Sequence, residues 1–167
     1  SPAWLIEGRA VWTGAAYGHS SVESFVDHHA MFGQIEEAWR RGYGGLDGLA
    51  RLLEGKIADY RDNYIAGYAL FVYLDTEEAG GRRPYAERLQ AYMKGGVRSG
   101  PDPKAVFEKH FADGREGRPK GMEAFAKAFG EFMGGFYWLN RQEWTKRYSE
   151  AVPAGPPDPW VYDEPTW

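Results

Sequence analysis

The sequence predicts an all-α fold of six or seven packed helices that ends in an extended tail rich in proline and aromatic residues. Two observations predict it. Apolar residues recur at i, i+3 and i+4 through most of the chain, and Gly or Pro clusters punctuate the periodic stretches at helix-length intervals. No convincing stretch of alternating polar and apolar residues marks a strand, and no internal repeat is evident.

The elements follow in order. Residues 2–17 are expected to form a helix, with Ser1 as a cap and Pro2 in the first turn, where a missing N–H costs nothing. Trp4, Leu5, Gly8, Val11, Trp12 and Ala15 form its inward stripe; Glu7 lies beside that stripe, and Gly18 closes the helix. A second helix is expected over 21–41, capped by Ser20 or Ser21. Its inward set is Phe25, His28 or His29, Phe32, Ile35 and Trp39, and it is broken by Gly42, Gly44 and Gly45. A short helix over about 46–57 turns Leu46, Leu49, Leu52 and Leu53 inward. Residues 62–78 are apolar nearly all round, which predicts the central, most buried helix. Gly80-Gly81 stops it.

Pro84 then opens a helix with Tyr85, Leu89, Tyr92 and Met93 inward. After the loop signals Gly95-Gly96 and Gly100-Pro101, Asp102-Pro103 starts another helix through Phe107 and Phe111. Asp113–Gly121 is charged and Gly-rich and reads as an exposed loop. Arg82, Arg83 and the basic residues near 115–120 read as solvated surface. Phe125, Phe129, Phe132 and Phe136 lie on one helical stripe, and a last helix is expected over 140–151. From Pro153 onward, Pro153, Pro156, Pro157, Pro159 and Pro165 forbid regular helix. Trp160, Tyr162 and Trp167 are expected to strap this tail, residues 153–167, across an apolar groove of the helical body, residues 1–152.

Bulk properties narrow the function. Of 167 residues, 43% are hydrophobic and 16% aromatic, which supplies a core and argues against wholesale disorder. The 20 basic and 24 acidic residues give a net charge of -4, without the basic excess that a nucleic-acid partner requires. Cysteine is absent, so no disulfide or thiolate metal site is available. No apolar run reaches the length of a membrane span. No signal-peptide pattern precedes the first helix, and the chain is expected to be part of a longer one; its compartment is not legible.

Two segments carry a resemblance. Trp4-Leu5-Ile6-Glu7-Gly8-Arg9-Ala10 resembles the W-L-x-E-G-x-A element of gluzincin zinc metallopeptidases, the class that includes the M1 aminopeptidases and the peptidase-MA-like bacterial proteins. Tyr64-Ile65-Ala66-Gly67-Tyr68-Ala69-Leu70 resembles the Y-x-x-G-x-A-L helix of the M1 aminopeptidases and the Y-A-x-S-W-A-L helix of the peptidase-MA-like group. Similarity extends over residues 2–17 and 62–111, with scaffold helices at Ala86–Tyr92 and Ala105–Phe111.

The resemblance implies that Glu7 is the third zinc ligand of a His₂Glu site, which leaves the metal an open position for water. It implies that Tyr64 donates a hydrogen bond to the oxyanion formed as a peptide bond is hydrolysed. It also implies zinc in the complete domain and a peptide or protein substrate. The departure is the absence of H-E-x-x-H. His19, His28, His29 and His110 are the only histidines, and none forms an i, i+4 pair. The two imidazoles are therefore expected from an N-terminal half outside this chain, and these residues alone are not expected to hold zinc tightly or to catalyse. The alternative is a non-catalytic helical module, for binding or structure, derived from such a peptidase.

Several residues also carry plainer readings. Glu7 can be an acid favoured by the N-terminal helix dipole, and Tyr64 a core tyrosine. Glu23, Asp27, His28 and His29 read as a solvated helix face with one inward histidine, and His110 as a structural residue beside Phe107 and Phe111.

Overall fold

A computed structural model describes residues 2–17, 33, 35–77, 79–95 and 102–135. Seven helical segments occupy them. They are α1 (Ala3–Tyr17), α2 (residues 35–40), α3 (Leu46–Leu53), α4 (Tyr60–Thr76), α5 (Ala86–Lys94), α6 (Pro103–Phe111) and α7 (residues 122–135). The β pairing among these residues is confined to isolated bridges, Ala79 with Arg82 and Asp113 with Lys120, so the all-α expectation holds.

α4 is the axis of the fold. Every residue from Ile65 to Leu74 is buried, as its apolar circumference predicts. The helix begins at Tyr60, earlier than the apolar pattern suggests, because the Asp59 carboxylate accepts the Arg61 N–H at 2.9 Å and caps the first turn. The added turn brings Tyr60 onto the same face as Tyr64.

α1 crosses α4 at glycine. A Cβ built on Gly8 would lie 2.2 Å from the Gly67 carbonyl oxygen, and one on Gly67 would lie 2.8 Å from the Trp4 carbonyl oxygen. Only hydrogen at both positions lets the backbones approach this closely. The crossing seats Trp4 and Leu5 in the core, Trp4 stacking on Tyr92 at 6.0 Å between ring centroids and meeting Phe107 edge-on at 5.9 Å.

Rings fill the other half of the core. Tyr73 meets Phe125 at 5.6 Å and Phe129 at 5.4 Å, while Tyr85 meets Phe125 at 5.8 Å. Phe107 and Phe111 of α6 close the layer at 4.7 Å from each other. The α5 and α6 stripes match expectation, with Tyr85, Leu89, Tyr92, Phe107 and Phe111 buried. Asp102 caps α6 by accepting the Lys104 and Ala105 N–H groups. His110 directs Nδ1 to the Val106 carbonyl at 2.9 Å and packs its ring against Tyr92, a structural role.

Some expectations are corrected. α3 stops at Leu53, where the backbone turns through Gly55 at φ 68, a left-handed stop that glycine adopts without strain. Leu46, at its first position, is 44% exposed and not inward. Trp39 is also 44% exposed. Its six-membered ring lies against α7, 3.2 Å from where a Gly134 Cβ would stand, in space that a side chain at that glycine would occupy.

Arg118 is the largest departure in the 113–121 loop. Its side chain is fully buried, paired to Asp113 through Nε at 2.8 Å and Nη2 at 3.0 Å, with Nη1 on the Pro84 carbonyl at 3.2 Å. This fork ties the loop to the start of α5, and sequence alone does not distinguish it from its exposed neighbours Arg115 and Lys120. Arg82 and Arg83 are exposed, as expected. The side chains of Val11, Trp12 and Ala15, the residues Gly18 to Phe32, Phe136, the helix expected at 140–151 and the tail from Pro153 lie outside the described residues.

Candidate functional site

The crossing of α1 and α4 brings together the two residues singled out by the sequence. Gly8 and Gly67 set the separation of the helices, and each neighbours a functional candidate: Glu7 precedes Gly8, and Tyr64 lies one turn before Gly67. With the backbones this close, Glu7 and Tyr64 are neighbours across the crossing, near enough for the Glu7 negative charge to act on the Tyr64 hydroxyl. Both residues are half-buried, between the core and solvent-facing Ile6.

A third residue completes the group. The Tyr60 hydroxyl lies 2.6 Å from the Tyr64 hydroxyl, and the two rings meet edge-on with centroids 4.7 Å apart. The pair is an i, i+4 neighbour set on one helix face. Tyr64 stays protonated well above the usual tyrosine range. The hydrogen bond shared with Tyr60 contributes most, burial next, then the hydrogen bond and negative charge of Glu7. The group therefore presents a neutral phenol as a hydrogen-bond donor beside an acceptor carboxylate.

The N-terminal turn of α4 is clamped in place. Asp62, buried in that turn, accepts from Arg41 Nη1 at 2.7 Å and from the Tyr43 hydroxyl at 2.7 Å. Glu37 accepts from Arg41 at 2.6 Å and from Arg61 at 2.9 Å, which binds the end of α2 to the same turn. Burial and the Asp62 charge push Tyr43 up to about 12, so it remains a donor throughout the physiological range. Sequence reasoning missed this network because α4 read as apolar on nearly every side. Asp62 lies in the polar stretch Arg61-Asp62-Asn63 of the first turn, where an acid is ordinarily solvated and favoured by the helix dipole, so nothing local marked it as buried.

No cluster of three or more His, Cys, Asp or Glu side chains with metal-binding geometry occurs among the described residues. His110 is committed to the Val106 carbonyl on α6. Glu7, the ligand expected from the sequence, is half-buried at the crossing, and a carboxylate offers two oxygens and about four lone-pair directions. His19, His28 and His29, with Glu23 and Asp27, lie outside the described residues. No described helix is long and apolar enough to cross a membrane.

No protein-family model, curated protein or solved structure matches the chain.

Proposed function

We propose that this chain is the C-terminal helical half of a zinc-dependent metallopeptidase-like domain, with Glu7 contributing a metal ligand and Tyr64 an oxyanion donor for peptide-bond hydrolysis. The observation that supports the reading is the meeting of Glu7 and Tyr64 at the α1–α4 crossing. The residues were singled out from separate sequence segments, and a chance resemblance gives no reason for their side chains to converge.

Each residue has a defined task. Glu7, beside the crossing, would contribute a carboxylate oxygen to the metal when the complete domain binds it. Tyr64, neutral at working pH, supplies a hydrogen bond where negative charge develops on the substrate carbonyl; losing one such donor typically costs ~10²–10³ in rate. Zinc, when bound, supplies Lewis acidity and an activated water. The imidazole ligands come from outside these residues, and zinc is not expected to bind tightly to the chain without them.

The test is zinc content and peptidase activity of the gene's full product. Glu7→Gln is expected to lose zinc, and Tyr64→Phe to keep zinc while turnover falls. A full product that binds no zinc, with no histidine pair encoded ahead of Ser1, rejects the reading and leaves a helical binding or structural module.

A further inference from the structure

We propose that the cleft between the 79–84 turn and the first turn of α5 holds the phosphate group of a small phosphorylated molecule, with Arg82 and Arg88 as its direct partners. The cleft shares no residue with the α1–α4 crossing, and the proposal does not rest on the zinc reading.

The cleft is built where the chain reverses after α4. Gly80 and Gly81 adopt φ 59 and 75, and the Ala79–Arg82 bridge closes with hydrogen bonds of 2.8 and 3.1 Å. The reversal sets Arg82 and Arg83 directly before Pro84 and α5, and Arg88 follows in the first turn of that helix. Arg82, Arg83, Arg88 and Arg118 line one cleft of about 860 Å³, against the acids Glu87 and Glu116. That volume falls in the range of small-molecule sites and exceeds what a bare anion needs. Pro84, Ala86 and Ala91 give it an apolar wall for the carbon skeleton of a ligand.

The guanidinium groups are not equivalent. Arg118 is committed, with Nε and Nη2 on Asp113 and Nη1 on the Pro84 carbonyl and Glu116, so it braces the site and does not bind in it. Arg83 is held along one edge by the Asp75 carbonyl. Arg82 and Arg88 make no hydrogen bond or ion pair among the described residues. The charge of Arg88 reaches Asp113, but both oxygens of that carboxylate are already bonded to Arg118. An arginine carries only donors, in a fixed fork, and keeps its charge at any working pH. A carboxylate has oxygens for one fork. A phosphate has enough for two at once, and a charge that suits two unpaired cations. Glu87, exposed and without a partner among the described residues, opposes any anion there.

The experiment titrates the intact chain at constant ionic strength and follows backbone amides by NMR. Inorganic phosphate is expected to give saturable shifts at residues 82–88 and to bind at least about tenfold more tightly than succinate. Phenyl phosphate, which adds an apolar skeleton, is expected to bind more tightly still. Arg82→Gln and Arg88→Gln should each weaken phosphate about tenfold, the scale of one charge-assisted hydrogen bond. Glu87→Gln should act in the opposite direction and tighten binding about threefold, as a like charge leaves the wall. Lys127→Gln, at an exposed cation on α7, should change nothing. Unchanged urea denaturation shows that each variant keeps its fold.

Absence of saturable binding overturns the proposal. So does succinate bound as tightly as phosphate, or a loss in Lys127→Gln equal to that in the arginine variants, since either marks diffuse attraction to a charged surface. Equal affinity for phosphate and phenyl phosphate overturns the assignment of an organic ligand. Zinc and peptidase activity enter none of these readouts, so the two sites stand or fall separately.

Discussion

The α1–α4 crossing and the aromatic layer of α5, α6 and α7 are both buried, yet they are joined by opposite means. At the crossing, Gly8 and Gly67 remove side chains so that backbone meets backbone, and the polar groups of Glu7, Tyr60 and Tyr64 remain at the edge. In the aromatic layer, Phe107, Phe111, Phe125 and Phe129 fill space with rings, and the polar tie of Arg118 to Asp113 is buried. The first arrangement fixes the distance between two chemical groups. The second supplies stability. A protein that used large side chains at the crossing would hold Glu7 and Tyr64 further apart, whatever it gained in buried area.

The comparison is broken most severely in the aromatic half. Phe107→Ala, at a fully buried ring that touches Trp4, Tyr92, Phe111 and Phe125, is expected to cost about 4 kcal/mol in urea denaturation. A loss below about 1 kcal/mol would show that the layer collapses around the gap and is not close-packed.

Next is the buried ion pair. Asp113→Asn leaves the buried Arg118 guanidinium with a single carboxylate partner, Glu116 Oε2 at 2.9 Å, at a cost of about 2 kcal/mol. The same pair sets an acid dependence. Arg118 beside Asp113 holds its carboxyl down at about 2, from an ordinary 3.8. A depressed carboxyl stabilises the fold above its unfolded value, and the contribution disappears as pH falls through that range toward 2. The loss is worth about 2 kcal/mol, and it should be absent in the Asn variant.

At the crossing, Gly8→Ala is expected to cost about 2 kcal/mol, because the new methyl meets a backbone carbonyl that cannot swing aside. Its distinguishing mark is that it also separates Glu7 from Tyr64, so the Tyr64 pKa should fall toward the ordinary tyrosine value as the Glu7 charge moves away. Neither Phe107→Ala nor Asp113→Asn, in the fraction that stays folded, should do that. The smallest expected effect is Tyr64→Phe, about 1 kcal/mol or less by the same denaturation, since a half-buried hydroxyl loses only its hydrogen bonds. A cost above about 3 kcal/mol would make Tyr64 a core residue whose hydroxyl is structural.

Much of this was legible in the residues. The buried stripe of Phe107 and Phe111, the Asp102 cap and the nearly continuous burial of Ile65–Leu74 follow from spacing and capping chemistry. Glu7 and Tyr64 were legible as candidates because each sits in a patterned segment. Tyr60 was not, since nothing local marks it off from other surface tyrosines. Arg118 was hidden for the same reason: in a loop also containing Arg115 and Lys120, burial is decided by a distant carbonyl, that of Pro84.

By itself the sequence determined that the chain is helical, roughly where each helix runs and which face it buries, because these depend on periodicity and capping within a few residues. Tertiary structure alone decided that Gly8 meets Gly67, that Glu7 and Tyr64 become neighbours across that crossing, and that Arg118 is enclosed by its partners. Such encounters depend on the crossing of elements remote in the chain, and no local pattern encodes the distance at which they pass.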